Sequence, residues 1–489
     1  MFAAFDNFPA LLIWLPLVTG IICFFLKTEA AAKKWSLLSS VLTLGVVGAS
    51  LYFSGEKYSL LNQVSYIWLK GINSSFALIL DGMSKMLCLL TALAFPVIFT
   101  ATWKHQYKRA NVFYGLMLLS QCGLLGVFMA ADALVFYFFW ELALIPVYFL
   151  ASQWGGERRI QATFKFFIYT FIGSLLMLVG ILYLYLNASG ESFSLASFYN
   201  SRANPADQKW LFWLFFIAFA IKMPIFPFHT WQPDAYEQSP TAVTMVLSGV
   251  MVKMGVYAVI RWLLPLFPEA VHKFDNIVIG LSVVGMIYAS CIAMVQDDLK
   301  RLVAYSSIAH IGLMCAAIFA NNQSGMQGVM IQMFNHGINI IGLWIIVELI
   351  ERKLGTRKIS ELGGIANFAP ALSILLVIVA LANLALPLTN AFIGEFLMFN
   401  GLYQFNVWYA VVAGLSIILA AVYTLNMVKN VFYGSGNSLT AGIRDISLNE
   451  KIILSVIVVL IFAAGVFPKP FLDLTQDTTN MILNRIIDK

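Results

Sequence analysis

The chain has 489 residues, 60% of them hydrophobic and only 11% charged, against roughly 25% charged in an average soluble domain. Its 30 Lys and Arg and 24 Asp and Glu cannot cover two or three water-exposed domains, so a cytosolic globular enzyme is excluded and the solvent is lipid. The net charge of +6 is small for this length. Basic residues are scattered among apolar runs rather than clustered with aromatics, which excludes nucleic-acid binding.

A helix crossing about 30 Å of hydrocarbon needs about 20 apolar residues, and the chain offers about fourteen such runs. They cover 9–26, 35–53, 80–103, 113–130, 132–151, 164–187, 209–228, 240–264, 275–295, 301–320, 325–350, 370–400, 407–429 and 451–467. The first lacks a basic n-region and a small-residue cleavage site and is expected as a retained span. No ten-residue segments alternate with period two, so the fold class is an all-α integral membrane bundle rather than a barrel. The five cysteines, Cys23, Cys88, Cys122, Cys291 and Cys315, sit inside apolar runs with no CxxC or Cys/His cluster, against zinc, iron-sulfur or disulfide sites. No glycine-rich phosphate loop precedes a helix, against nucleotide binding.

With the N-terminus outside, the loops after odd-numbered spans carry roughly 18 basic residues against roughly 9 in the others. Lys104, Arg158, Arg159, Lys300, Arg301, Arg352 and Arg357 are among the inner ones. Both termini are then expected to be periplasmic, the segment from Lys469 to Lys489 being an outer tail. Lys222, Lys253 and Arg261 fall within runs assigned to the membrane. Arg261 lies near a span end and can snorkel.

Two segments should interrupt their helices, Ile221-Lys222-Met223-Pro224-Ile225-Phe226-Pro227 in the seventh run and Leu386-Pro387-Leu388-Thr389-Asn390-Ala391-Phe392-Ile393-Gly394-Glu395 in the twelfth. Proline removes a backbone donor and clashes with the preceding turn. Broken helices five spans apart, each beside an ionisable residue, predict two inverted five-helix repeats. The expected organisation is three leading spans (1–111), a first repeat (112–265), a second repeat (266–430) and a closing segment (431–489).

A charge at a helix centre costs about 2.5–3.5 kcal/mol on insertion scales, so it needs a reason. Glu141, Lys222 and Lys253 lie at mid-depth in the first half, and His310, His336 and Glu395 in the second. Taken singly each has a static reading: a buried ion pair between Glu141 and Lys222, or a polar helix contact for either histidine. Six such groups, two beside broken helices, exceed what packing needs and suit a proton relay. Lysine beside a carboxylate can hold or release a proton, and histidine passes one between its two nitrogens. Ser306 and Ser307 lie on the face of His310, while Asn335, Asn339, Asn383 and Asn390 are placed to hold water. His229, Asp234 and Glu237 are expected in a wet inner loop.

The run from Lys222 through Phe228-His229-Thr230-Trp231-Gln232-Pro233-Asp234-Ala235 resembles the K-x-P-x-x-P-x-H-x-W-L-P-D-A signature of the antiporter-like subunits of respiratory complex I. The stretch Asp298-Leu299-Lys300-Arg301-Leu302-Val303-Ala304-Tyr305-Ser306-Ser307-Ile308-Ala309-His310-Ile311-Gly312 is similar to a second family block. With the fourteen-span layout the likeness covers essentially the whole chain. Glu395, where L- and N-type members usually carry lysine, and the absence of a long lateral helix resemble the M-type branch. Gln232, Leu388 and Asn390 depart from the family pattern without touching a titratable position. The resemblance implies that Glu141 pairs with Lys222, that Lys253 is the central relay, that His310 and His336 carry the proton on, and that Glu395 releases it near a periplasmic exit. It also implies a bacterial inner membrane location and L- and N-type neighbours. NADH, FMN, iron-sulfur clusters and quinone would be bound by partner subunits and no cofactor by this chain.

Overall fold

Inside a bilayer every backbone N–H and C=O must be satisfied within the chain, so apolar stretches of this length become helices. The computed structural model describes residues 7–53, 56–187, 192–201 and 203–487. In chain order the first helices are α1 (Phe8–Cys23), α2 (Glu29–Tyr52), α3 (Gly82–Ala101), α4 (Ala110–Met129), α5 (Ala133–Trp154) and α6 (Arg159–Asn187). Next come the short α7 (Leu195–Asn200), α8 (Pro205–Lys222), α9 (Trp231–Gln238), α10 (Thr241–Leu266), α11 (Pro268–Met294), α12 (Leu299–Phe319) and α13 (Gln323–Leu354). The last are α14 (Pro370–Asn383), α15 (Asn390–Phe405), α16 (Val407–Tyr433), α17 (Leu448–Val466) and α18 (Lys469–Ile487). Among the described residues eleven helices are long and apolar enough to cross a membrane, and α1 and α14 are shorter apolar helices.

Each expected run coincides with helix, but one is cut short and one is split in two. α8 ends at Lys222 and helix resumes only at Trp231, and the segment from Leu384 to Thr389 separates α14 from α15. Ala385 and Leu388 there take φ of 58° and 74°, left-handed backbone that β-carbons disfavour. Gly465 of α17 makes room for this bend, since a β-carbon on it would meet Leu388 O at 2.3 Å.

Three features differ from the expectation. Residues 63–79 form an antiparallel hairpin, β1 (Gln63–Leu69) and β2 (Ser74–Ile79). Asp132, the N-cap of α5, ties it down by accepting from Ser74 Oγ at 3.1 Å and Ser75 N at 3.1 Å. The expected C-terminal tail is the amphipathic helix α18, of which residues 488 and 489 lie outside the described residues. It buries Thr475, Thr479, Ile482 and Ile486 and seats against α3 and α13. Arg261 does not snorkel: it is buried and paired with Asp81, the N-cap of α3, because an acceptor reaches it inside the bundle.

The centre of the bundle is α10 against α13, both buried over their full apolar windows. Their closeness follows from small residues at the crossing. A β-carbon on Gly249 would meet Ile341 Cγ1 at 2.8 Å, and one on Gly337 would meet Gly249 O at 2.9 Å and Leu90 Cδ1 at 2.6 Å. Gly255 likewise lets α10 approach Phe219 O at the end of α8 to 2.8 Å from its notional β-carbon. Gly337→Val is therefore expected to push α10 and α13 apart and to cost about 1–3 kcal/mol, read as a lower melting temperature of the solubilised protein. Gly45→Ala, with nothing within 4 Å of the added carbon, should melt as the parent does.

Candidate functional site

The close crossing puts Lys253 of α10 beside His336 of α13. Lys253 is fully buried, and its Nζ donates to Ser248 O at 2.8 Å and lies 2.8 Å from His336 Nδ1. Ser248 belongs to a π-helical turn, Leu247–Met251, that precedes Lys253. Such turns insert a residue into the helical ladder and are frequent at functional sites. An ammonium has three donors and no acceptor, so a charged Lys253 requires a lone pair on His336 Nδ1 and the imidazole proton on Nε2. Charging both groups at this separation, away from water, is prohibitive. The pair therefore holds one added proton between two bases.

From His336 the contacts continue outward along α12. His336 Nε2 lies 3.3 Å from Ser307 Oγ, and the His310 and His336 rings are 5.7 Å apart. His310 Nδ1 is 3.0 Å from Glu395 Oε1, an ionic contact without hydrogen-bond alignment. His310 Nε2 has no protein partner, so passage between the two rings calls for a bridging water. Ser306 Oγ is 2.9 Å from Tyr423 OH and accepts from Asn383 at 3.2 Å. The asparagines bind backbone at the interrupted helix: Asn335 donates to Asn390 O at 2.7 Å and Asn339 to Ala382 O at 3.2 Å. They supply donors to carbonyls near the helix ends.

The first-half pair makes no direct contact. Among the described residues there is no ion pair between Glu141 and Lys222, and neither Lys222 Nζ nor Glu141 Oε1 has a hydrogen-bond partner. Lys222 Nζ lies over the rings of Trp140 and Phe166, 5.5 and 5.9 Å from their centroids, a cation–π setting. Glu141 instead lines an apolar groove of about 330 Å³ with Trp68, Leu134 and Phe138. The expected direct contact is thus replaced by aromatic packing around the ammonium on one side and a groove on the other.

The family NADH:quinone oxidoreductase/Mrp antiporter, TM matches residues 130–420. NADH-quinone oxidoreductase subunit M of Rickettsia prowazekii is 38% identical, over 94% of this chain and 95% of that one. The chain belongs to this family of antiporter-like membrane subunits. Subunit M of Escherichia coli is 34% identical over 96% of each chain. Among solved structures, a chain of respiratory complex I from Thermus thermophilus matches with a TM-score of 0.90 and 30% identity, over 97% of this chain and 99% of that one. A chain of the Mrp complex from Dietzia sp. matches at 0.84 and 19% identity, over 98% and 97%, a likeness of fold.

In this family member the basic face is organised by Asp234 and Glu237 of α9, which the sequence placed in a wet loop. Glu237 is largely buried and accepts from Arg158 at 3.1 Å, Arg301 at 2.9 Å and Arg357 at 3.2 Å. Asp234 accepts from Lys165 at 2.8 Å and Arg301 at 3.2 Å. Burial alone would raise both carboxyls, but these cations outweigh it and hold them below the usual carboxylate range. Tyr423, Ser248 and Asp81 are polar partners that hydropathy did not single out, because one polar residue in an apolar run carries no partner in its spacing. A carboxylate whose folded pKa is depressed adds stability above its unfolded value and loses it as pH falls through the folded one. Arg301→Gln should therefore cost about 1.5–3 kcal/mol at neutral pH. Melting curves should show the difference from the parent shrinking as pH drops below the ordinary carboxylate range.

Proposed function

We propose that this chain is a proton-translocating membrane-arm subunit of an NADH:quinone oxidoreductase. The observation that carries the reading is the chain of contacts Lys253–His336–His310–Glu395 through the buried centre of the bundle. A proton on Lys253 moves to His336 Nδ1, the imidazolium releases one from Nε2 past Ser307, and His310 delivers it to Glu395. Lys222 and Glu141 are the first-half members of the relay, and water spans the gaps that exceed hydrogen-bond reach. Two repeats, 112–265 and 266–430, each contribute one interrupted helix.

The reading extends to the assembly. Sequence relatives that are subunits of NADH-quinone oxidoreductase support a translocase in which NADH, FMN, iron-sulfur clusters and quinone are handled by partner subunits. L- and N-type chains are its neighbours in a bacterial inner membrane. Both termini face the periplasm and the Arg- and Lys-rich face is cytoplasmic, supported by the charge bias. A fold shared with the Mrp complex keeps a cation/proton antiporter subunit as the second reading. Co-purification with a flavin-containing NADH dehydrogenase module decides between the two.

The relay is tested in inside-out membranes, with proton uptake and NADH oxidation followed together. Lys253→Ala and Glu395→Gln are expected to lower protons moved per NADH at least about tenfold with the complex still assembled. Wild-type pumping in both variants would leave only a scaffold role.

A further inference from the structure

α10 and α13 touch through polar groups at two levels. The first is Lys253 with His336. The second lies twelve residues nearer the basic face on each helix, where Thr241 Oγ1 donates to Glu348 Oε2. Twelve residues rise about 18 Å on either helix, so two antiparallel helices are joined by two rungs of equal spacing. Between the rungs α10 carries a polar stripe. Thr244 Oγ1 donates to Tyr236 O at 3.2 Å, Ser248 Oγ to Thr244 O at 2.7 Å and Lys253 Nζ to Ser248 O at 2.8 Å. In a regular helix twelve residues would leave Lys253 about 120° around from Thr241. The wider turn at Leu247–Met251 takes back part of that rotation and keeps Lys253 on the stripe.

Buried polar atoms beside the stripe lack a well-aligned hydrogen bond: Trp344 Nε1, Tyr236 OH and the amide of Gln232, the last two lying near each other. Trp344 is one turn from Glu348 on α13, its ring 6.0 Å from that of Tyr236. Buried groups of this kind are met by ordered water. On the other side of Glu348 a vestibule of about 880 Å³ opens, lined by His105, Thr241, Glu348, Lys300, Arg352 and Arg357 among others. Glu348 is buried, and its Oε1 lies 2.5 Å from Nε2 of the partly exposed His105. Of the cations lining the same space, Lys300, Arg352 and Arg357 have acidic partners of their own, while Lys108, Arg109 and Arg159 line it without an ion pair among the described residues. Lys300 of α12 pairs with Glu351 at 2.7 Å, Arg352 with Glu450 at 2.5 Å, Lys104 with Glu450 at 2.9 Å and Arg357 with Asp298 at 2.5 Å. The side chain in direct contact with Glu348 Oε1 is the imidazole of His105, which can both take up and give up a proton.

We propose that His105, Glu348 and Thr241 form the proton-uptake gate of the basic face. The proposal rests on Lys253 being the relay. His105 takes a proton from vestibule water, and its Nε2–H bond breaks as the Glu348 O–H bond forms, leaving neutral imidazole and a neutral carboxyl. Glu348 then releases the proton to water along the Thr241–Ser248 stripe, and Lys253 Nζ receives it while Glu348 returns to carboxylate. No electrons change hands.

The test uses the assembled complex in inside-out vesicles, reading protons moved per NADH. Glu348→Gln and His105→Gln are expected to fall at least about tenfold, and Glu348→Asp, which keeps the acid, to recover part of the loss. His105→Gln should also change how pumping depends on the pH at the basic face, because the ionisable side chain in contact with Glu348 is gone. A merely structural role would not move that profile. Wild-type pumping in both variants, with Lys253→Ala inactive, overturns the gate and leaves the relay. Wild-type pumping in Lys253→Ala overturns the relay beneath it. Should Glu348→Gln fail to assemble, Thr241→Val, which keeps the shape and removes the hydroxyl, is judged with His105→Gln by the same criterion.

Discussion

The rest of the site depends on a single 2.8 Å contact, Lys253 Nζ to His336 Nδ1. It forces a choice between two protonation patterns, because a buried ammonium and an imidazolium cannot coexist at that distance. Every group farther along takes its role from that choice. When Lys253 holds the proton, His336 presents Nε2–H toward Ser307. When His336 takes it, the lysine becomes an uncharged amine that still donates to Ser248 O. The carbonyl is thus satisfied in both states, so the exchange needs no backbone movement at this point.

What permits the contact is backbone, not side-chain, chemistry. Gly249 and Gly337 bring the two helices to a separation that a β-carbon on either would forbid, and the π-helical turn aims Lys253 across the crossing. Irregular backbone recurs at the segment between α14 and α15, where Asn339 binds Ala382 O and Asn335 binds Asn390 O. These interruptions at bilayer depth are tolerated because polar side chains of a neighbouring buried helix meet the backbone there.

The helices were legible because apolar runs of spanning length have few other solutions, and the breaks because proline has fewer still. The hairpin was not. Only Val64 of β1 is buried, while Tyr66, Ile67, Trp68 and Leu69 are exposed, so its alternation is swamped by apolar residues on both faces. α18 was invisible to a spanning-helix criterion since its apolar stripe is narrow and interleaved with Thr475, Asp477 and Asn480. The six mid-depth ionisable groups stood out one by one, but their pairing did not. His105 and Glu348 are 243 residues apart, and Glu348 reads from sequence as an ordinary charge near a helix end. Equally, nothing in the spacing of Glu141 and Lys222 says that an aromatic ring, rather than the carboxylate, lies against the ammonium.

The two halves therefore solve the burial of charge differently. In the second half each ionisable group has another within contact range, so neutralisation is local. Lys222 instead ends α8, at the partially negative end of the helix dipole, and the π faces of Trp140 and Phe166 cover its Nζ. Both terms favour the ammonium, yet each is worth only about 0.5–2 kcal/mol, less than the several kcal/mol that desolvating an ion costs. The remainder has to come from a group that carries full charge. Glu141, on the helix turn that also bears Trp140, is the carboxylate near enough to act on Lys222 through space. Its other side faces the 330 Å³ apolar groove, so the dielectric of whatever fills that groove sets how strongly Glu141 is felt by the lysine. The Glu141–Lys222 end of the first half is in this way open to its surroundings, whereas the Lys253–His336 contact is sealed from them.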